Sequence, residues 1–136
     1  MTGGSIIPKM RYRDAAAAIA WLCEFFGFER HLIVPGEGDS IAHAQLRFGA
    51  ENMIMLGSHT DDEYSSWVQP ADSGQPCTQC VYIVVPNPDA HHRKAVAGGA
   101  TILGDIQDAE YGGRGYTCRD PQGQIWSVGS YNPWSD

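Results

Sequence analysis

The segment Tyr111–Tyr131, YGGRGYTCRDPQGQIWSVGSY, decides how this chain folds. Two runs with strand character flank the tetrapeptide DPQG at 120–123, where proline presets φ at the second turn position and glycine accepts the positive φ that ends the turn. The segment therefore predicts a β-hairpin. On its returning strand Ser127 faces one side and Trp126 the other, because strand side chains alternate. The pattern predicts a sheet with one packed hydrophobic face and one open face.

A strand, a helix and three further strands are predicted in each half of the chain. Asp14 is a candidate N-cap for the first helix and Gly27 ends it, while Asn87 is the matching cap in the second half. The predicted elements are strand 6–13, helix 15–26 and strands 28–34, 41–48 and 53–57, then strand 80–85, a helix through 97, and strands 101–106, 114–119 and 124–131.

The two halves are related by a shift of about 72 positions, which is what an internal duplication leaves. The shift places Gly27 on Gly99, Arg47 on Arg119, Met55 on Ser127 and Gly57 on Gly129. We therefore expect one domain, 1–136, made of two modules, about 5–58 and 78–133, joined by a linker at 59–77. Trp67 makes the linker a candidate lid over a site, and a plain connector is the simpler interpretation.

Bulk composition excludes several classes of protein. A chain of 136 residues with 43% hydrophobic and 18% charged residues is typical of a folded domain and contains no apolar run that would span a membrane. A net charge of -7 argues against nucleic-acid binding, which needs clustered Lys and Arg. No secretory leader is visible, so we expect a cytoplasmic protein with reduced cysteines.

The two predicted βαβββ modules, the run AQLRFGAENMIML at 44–56 and the turn DPQG before Ile125 resemble the vicinal oxygen chelate superfamily. That superfamily includes glyoxalase I, extradiol dioxygenases, bleomycin-resistance proteins and fosfomycin-resistance enzymes. The resemblance implies an α+β fold of curved mixed sheets that form a cup, with the helices outside. It also implies a homodimer with two sites.

The resemblance further implies where a divalent metal is held in metal-dependent members, namely by His and Glu on the first and last strands of each module. The matching positions here are Ile7, Met55, Gln79 or Cys80, and Ser127. None of them offers the imidazole or carboxylate donor that such an ion needs. We therefore expect no metal and no cofactor, which argues against glyoxalase or dioxygenase chemistry.

Strand alternation predicts which side chains face the cup. Ala44 and Leu46 belong to the packed face of their strand, so that His43 and Gln45 face outward. The candidate cup surface mixes apolar area with a few polar groups, as small-molecule sites do, and consists of Lys9, Arg11, His43, Gln45, Met53, Met55, Cys80, Tyr82, Tyr116 or Thr117, Ile125 and Ser127.

Each polar candidate has a plain structural alternative. His43 is a candidate general base or ligand contact, or else a histidine on an exposed sheet face. Arg11 suits an anionic group, or else forms a cross-strand salt bridge. Cys77 and Cys80 form a CxxC motif that lacks a second pair of zinc ligands, so chance is the favoured explanation; Cys80 with His43 holding a soft metal is a minor hypothesis. His91 and His92 are interpreted as solvated surface residues.

These observations favour a metal-free protein that binds a small amphipathic or aromatic molecule in a cup at a dimer interface. Arg11, His43, Gln45, Met53, Met55, Cys80, Tyr82, Tyr116 and Ser127 are the predicted ligand-binding residues. The first alternative is a glyoxalase-like lyase or isomerase, or a dioxygenase-related enzyme, with a metal held by other residues and His43 as the candidate base. The second is a protein-interaction module with no ligand.

Overall fold

The computed structural model describes residues 2–135 and shows an α+β fold that divides into two compact units, one ending at Pro70 and the other beginning at Ala71. The N-terminal unit contains β1 (Lys9–Tyr12), α1 (Ala15–Phe25), β2 (Glu29–Pro35), β3 (Ile41–Phe48) and β4 (Asn52–Ser58). The C-terminal unit contains β5 (Val81–Val84), α2 (Pro88–Ala97), β6 (Thr101–Asp108), β7 (Arg114–Arg119) and β8 (Ile125–Gly129). The predicted order of elements is confirmed in both units.

The four strands of each unit form one mixed sheet with the same topology. The orders are β1-β4-β3-β2 and β5-β8-β7-β6, in which the first strand runs parallel to the last and the remaining pairs are antiparallel. The predicted hairpin is β7 and β8, and Gly123 in its turn has a φ of 97°. β1 begins at Lys9, later than predicted, and Ile6 is exposed.

Helix α1 packs against the N-terminal sheet and leaves the opposite sheet face uncovered. The Asp14 carboxylate accepts a hydrogen bond from the Ala17 amide at 3.1 Å, which satisfies one of the free donors of the first turn. Leu22 and Leu46 are fully buried, while the alternate residues of β3 stay accessible. Burying each such leucine contributes about 2 kcal/mol, so the alternation fixes which face of the sheet carries the helix.

Helix α2 packs against β6 and β7 in the same way. Asn87 accepts from the Ala90 amide at 3.1 Å, the bond that Asp14 makes in the first unit. The packed face of the C-terminal sheet buries Trp126, Val128 and Cys118, each at most 1% exposed. The asymmetry predicted for β8 is therefore confirmed.

Details of the two units repeat as the proposed shift requires. Gly27 and Gly99 follow their helices with the same φ of 96°, a conformation that glycine adopts without strain. Arg47 donates to the Ala50 carbonyl and Arg119 to the Gly123 carbonyl, so each arginine reaches the turn after its strand. The repetition of helix ends and turn contacts supports an internal duplication.

The segment between β4 and β5 divides between the two units. Its first part forms a one-turn 3-10 helix, Glu63–Ser66, that belongs to the N-terminal unit. In its second part Ser73 lies against the β7–β8 turn, and Gln75 accepts a 2.8 Å hydrogen bond from Arg119. Trp67 is 69% exposed, and the aromatic residue that does lie on a sheet is Tyr64.

Among residues 2–135 no helix has the length and apolar character that crossing a membrane requires.

Candidate functional site

The uncovered face of the N-terminal sheet brings together three of the polar side chains predicted to bind a ligand, Arg11, His43 and Gln45. Cross-strand pairs share a face, and Lys9 is opposite Met55, which is opposite Gln45. Met53 is opposite Arg47 in the same way. We call this surface the N-terminal open face; it consists of Lys9, Arg11, His31, His43, Gln45, Arg47, Met53 and Met55.

A chain of two hydrogen bonds crosses this face. His43 Nε2 lies 2.9 Å from Gln45 Oε1, and Gln45 Nε2 lies 3.1 Å from His31 Nδ1. The amide oxygen only accepts and the amide nitrogen only donates, so His43 carries a proton on Nε2 and His31 accepts at Nδ1. The bonds therefore fix the side of each ring that is left for other partners.

His31 was not predicted to belong to this face. The register of β2 against β3 shifts between Arg30 and Leu32, so His31 sits in a bulge beside the Leu32–Gln45 pair. A bulge is set by the pairing of two strands, which the local sequence of β2 does not reveal.

Two cations of β1 lie against one aromatic ring from the linker. The Arg11 guanidinium carbon is 4.3 Å from the centroid of the Tyr64 ring, and Lys9 Nζ is 5.1 Å from it. Arg11 Nη1 also donates to the Ser58 carbonyl at 2.9 Å. Gly57 leaves room for this arrangement, since an added Cβ would lie 2.9 Å from Arg11 Nη1. Tyr64 thus covers part of the N-terminal open face.

The uncovered face of the C-terminal sheet forms a groove of about 700 Å³. The centre of one row of its floor has no side chains, because Gly129 is opposite Gly115. The next row is short and polar: the Ser127 and Thr117 hydroxyls lie 3.1 Å apart, and Thr117 is opposite Gly104. We call this surface the C-terminal groove.

Three tyrosines stand around this floor. Tyr82 donates its hydroxyl to the Tyr131 carbonyl at 2.6 Å, and the rings of Tyr111 and Tyr131 meet edge to face with centroids 4.9 Å apart. Partial burial, together with the two neighbouring tyrosines, raises the pKa of Tyr82. Tyr111 is 71% exposed, so its ring is accessible to a ligand.

Carboxylates outnumber cations along the rim of the groove. Asp105, Asp108 and Glu110 line it, whereas its one lining guanidinium, Arg114, is already paired. Arg114 forms two hydrogen bonds to Asp89, at 3.0 and 3.2 Å, and a third to Asp108 at 3.3 Å. The hydrogen bonds that Arg114 donates to Asp89 and Asp108 raise the pKa of Arg114. The groove therefore combines aromatic rings with a surplus of negative charge.

The structure places Tyr116 differently from the other predicted ligand-binding residues. Its side chain is 5% exposed and lies on the helix side of β7, with its hydroxyl 2.6 Å from His91 Nδ1. Burial raises the pKa of this phenol. Tyr116 also lines the groove, so its role in ligand binding stays a prediction, while Thr117, the other residue considered at this position, faces the groove with its hydroxyl beside that of Ser127.

The sequence analysis interpreted His91 and His92 as solvated surface residues, and the structure contradicts that interpretation. The ring of His92 packs edge-on against Tyr116 with centroids 4.9 Å apart, and its Nε2 lies 3.3 Å from Asp105 Oδ1. Both histidines therefore belong to the contact between α2 and the sheet. The helical spacing of a histidine pair indicates neither its depth nor its partner.

The predicted residues thus fall into two groups on separate sheets. Cys80 is exposed and lines the C-terminal groove with Tyr82 and Ser127. Its neighbour in the motif, Cys77, is only partly exposed and directs its sulfur towards the Gly123 carbonyl, 3.9 Å away.

The residues at the positions implied for a metal do not fit a metal ion. The implied positions, Ile7, Met55, Gln79 or Cys80, and Ser127, supply no imidazole or carboxylate. Neither do Lys9 and Tyr82, the strand partners of Met55 and Ser127. Within residues 2–135 no group of three His, Cys, Asp or Glu side chains is arranged to share an ion. The metal centre of metal-dependent relatives therefore has no counterpart at these positions.

Comparison with known proteins agrees with this fold. An uncharacterised protein of Mycobacterium bovis is 28% identical over 127 residues, which cover 92% of this chain and 82% of that protein. The crystal structure of TioX from Micromonospora sp. ML1 matches with a TM-score of 0.73 and 28% identity, covering 96% of this chain and all of TioX. The fosfomycin resistance protein FosX from Mesorhizobium loti, 10% identical, shares the fold with a TM-score of 0.67 over 98% of this chain and 95% of its own.

Residues 7–128 also match the family model that spans both sheets. The chain therefore belongs to the Glyoxalase/Bleomycin resistance protein/Dioxygenase superfamily.

Proposed function

We propose that the protein binds a small amphipathic molecule, with an aromatic ring and a cationic group, in the C-terminal groove and without a metal. The observation that carries this proposal is a groove with a nearly bare floor surrounded by three tyrosines. A flat floor and aromatic walls suit an aromatic ring, and a volume of about 700 Å³ accommodates a molecule of drug size.

The rim supports a cationic group on the ligand. Tyrosine faces attract cations within about 6 Å, and nearby carboxylates add to that attraction. Glu110 forms no ion pair in the part of the chain that the structure describes, whereas Arg114 is neutralised by Asp89 and Asp108. The favourable partner for this rim is therefore positively charged.

The experiment uses the 2-naphthylmethylammonium ion as probe, titrated by calorimetry, with neutral 2-naphthylmethanol for comparison. We expect the cation to bind more tightly, and Tyr111→Ala to weaken it about fivefold because a cation–π contact contributes about 1 kcal/mol. Trp134→Ala is the matched control, since Trp134 is 95% exposed and does not line the groove. Equal binding of the two probes would contradict the cation preference, and unchanged binding in Tyr111→Ala would contradict the site.

The contribution of the Glu110 charge to binding is tested separately. Glu110→Gln should weaken the cation and leave the neutral probe unchanged, whereas Glu51→Gln, an equal change at an exposed turn of the other unit, should affect neither. A loss shared by both probes would mean that Glu110 acts on the shape of the groove and not through its charge.

We further propose that two copies of the chain associate, as its resemblance to dimeric members of the superfamily implies. Sedimentation equilibrium should give twice the 14.8 kDa of one chain. A monomer at all concentrations would overturn this part and leave the groove proposal standing.

A proton-transfer enzyme is the second candidate, favoured by the hydrogen bonds of His43. Because Nε2 donates to Gln45, Nδ1 is the ring atom that would accept a proton. No residue in 2–135 is hydrogen-bonded to Nδ1 of His43. Any proton abstraction should then be lost in His43→Gln; an activity unaffected by that change would remove His43 as the base.

A further inference from the structure

Positive charge is concentrated on one sheet face of an acidic chain. The net charge is -7, with 9 Lys and Arg residues against 16 Asp and Glu. Three of those cations, Lys9, Arg11 and Arg47, lie on the N-terminal open face. The paired strand positions of this face carry one carboxylate, that of Glu29, which is opposite Arg47. The sign of this face is opposite to that of the whole molecule.

Lys9 and Arg11 have no carboxylate within 4 Å in the part of the chain that the structure describes. In the linker, Asp62 accepts a 2.7 Å hydrogen bond from Thr60. That bond is the main cause that lowers the pKa of Asp62, and the charge of Arg11 contributes least. The cross-strand salt bridge that was the alternative for Arg11 is therefore not formed.

Tyr64 contacts both cations through its ring and therefore occupies none of their hydrogen-bond donors. A ring stacked on a guanidinium covers its flat face and leaves the N–H groups along its edge free. Of these, Nη1 donates to the Ser58 carbonyl, and the donors on Nε and Nη2 have no partner among residues 2–135. Lys9 Nζ, 5.1 Å from the same ring centroid, also keeps its donors. The contact orients two cations side by side.

Apolar and polar groups continue from this pair across the sheet. Met55 is opposite Lys9, and unbranched methionine adapts its shape to varied apolar groups. Beyond it, His31 Nδ1 lies 3.1 Å from Gln45 Nε2, which leaves Nε2 on the other side of the His31 ring as a further polar atom. An anion held by the cations would therefore have an apolar surface for the rest of its structure.

We propose that the N-terminal open face is a second binding site, for a small organic anion with an apolar body. Lys9 and Arg11 bind its carboxylate or phosphate group, Tyr64 holds the two cations in position, and Met53 and Met55 contact the apolar part. This site has the opposite charge preference to the C-terminal groove and does not depend on it.

The test uses 2-naphthoate and 2-naphthyl phosphate as probes, with 2-naphthamide as the neutral comparison, all by calorimetry on the full chain. Arg11→Gln and Lys9→Gln should each weaken the anions about tenfold or more, because a hydrogen bond to a charged group contributes about 1.5–3 kcal/mol. Arg93→Gln and Lys94→Gln remove the same charges from exposed positions of α2 and should leave binding unchanged. The ratio of the two anion affinities identifies the carboxylate or the phosphate as the preferred group.

Tyr64 provides an independent readout. Tyr64→Phe keeps the ring and should bind the anions like the unchanged protein, while Tyr64→Ala should bind them more weakly and with a steeper salt dependence. Thermal unfolding of each variant shows that it is folded. Anion binding that Arg11→Gln and Lys9→Gln leave unchanged, or naphthamide binding as tight as naphthoate, would overturn the proposal. These outcomes leave the cationic probe of the C-terminal groove unaffected, so the two proposals fail separately.

Discussion

Gly115 and Gly104 lie on adjacent strands of the C-terminal sheet but differ in the space around them. A Cβ on Gly115 would lie 2.4 Å from the Val128 carbonyl oxygen, whereas the first atom near a Cβ on Gly104 is 3.8 Å away. We expect Gly115→Ala to lower the free energy of unfolding by about 2 kcal/mol, because backbone atoms cannot move aside as a side chain would. Gly104→Ala is the control and should change it by less than about 0.5 kcal/mol in urea titrations. Equal losses would mean that the floor strands are freer to separate than the structure indicates.

Thiol reactivity should distinguish the cysteines. Cys80 is exposed, while Cys118 is fully buried and burial raises the pKa of its thiol to about 12. Because the thiolate is the reactive form, iodoacetamide at pH 8 should modify Cys80 in the folded protein and leave Cys118 unmodified until unfolding.

The same reaction reports on the groove. The 2-naphthylmethylammonium ion should slow the modification of Cys80, which lines the groove, and should not change that of Cys23, whose thiol pKa is also raised by burial. Peptide mass spectrometry measures both rates. Cys80 labelling that is insensitive to a bound probe would place the probe elsewhere.

Individual residues of the candidate site were predictable where alternation alone decides. Tyr82 and Ser127 on the open face, and Trp126 on the packed face, follow from it directly. The choice between Tyr116 and Thr117 needed the register of the hairpin: with Arg119 opposite Ile125 beside the turn, Thr117 falls opposite Ser127. That register could have been counted across the turn, whereas the bulge at His31 could not be read from one strand.

The two helices begin with equivalent capping bonds, so they should respond equally to loss of the cap. Asp14→Ala and Asn87→Ala each remove a 3.1 Å side-chain acceptor from a first-turn amide, which costs about 1 kcal/mol. Asp39→Ala, an exposed residue of the β2–β3 turn, is the control. Urea unfolding of the three variants checks this prediction, and a loss in only one helix would contradict the equivalence of the units.

Element boundaries were predictable to within a few residues because turn and cap residues mark them. Asp14, Asn87 and the tetrapeptide at 120–123 end or begin elements where local chemistry requires it. The role of the linker was not predictable, because contact with a distant strand decides it: Tyr64 reaches Lys9 and Arg11, while the more hydrophobic Trp67 stays exposed.

At the scale of the whole molecule, folding and probe binding should both be independent of metal. We expect EDTA followed by buffer exchange to leave the melting temperature and the affinity for 2-naphthylmethylammonium unchanged, because no donor set fits an ion at the superfamily positions. Elemental analysis of untagged protein purified without chelators completes the measurement. A melting temperature that falls with EDTA and returns with zinc, nickel, iron or manganese would contradict this, and His43 and Cys80 would then be the first residues to change.

The fold class was readable from sequence because two weak patterns occur in the same order at a fixed shift. The separation of the candidate residues into a basic face and an acidic groove could not be predicted from the sequence, because the charge of a sheet face depends on which strands are neighbours. Arg47 and Arg119 illustrate the limit: they are equivalent by position, but the first lies opposite Glu29 and the second reaches the segment at Gln75.

The nearly bare floor of the C-terminal groove has a consequence for how specificity can evolve. At Gly115 and Gly129 the surface of the floor is main chain, and any larger residue would collide with Val128 or Tyr82. Selection for a new ligand therefore has little to act on at the bottom of the groove and must act on its walls. Substitutions at Tyr82, Tyr111 and Glu110 would change the ligand preference of the groove without altering the pairing of its strands.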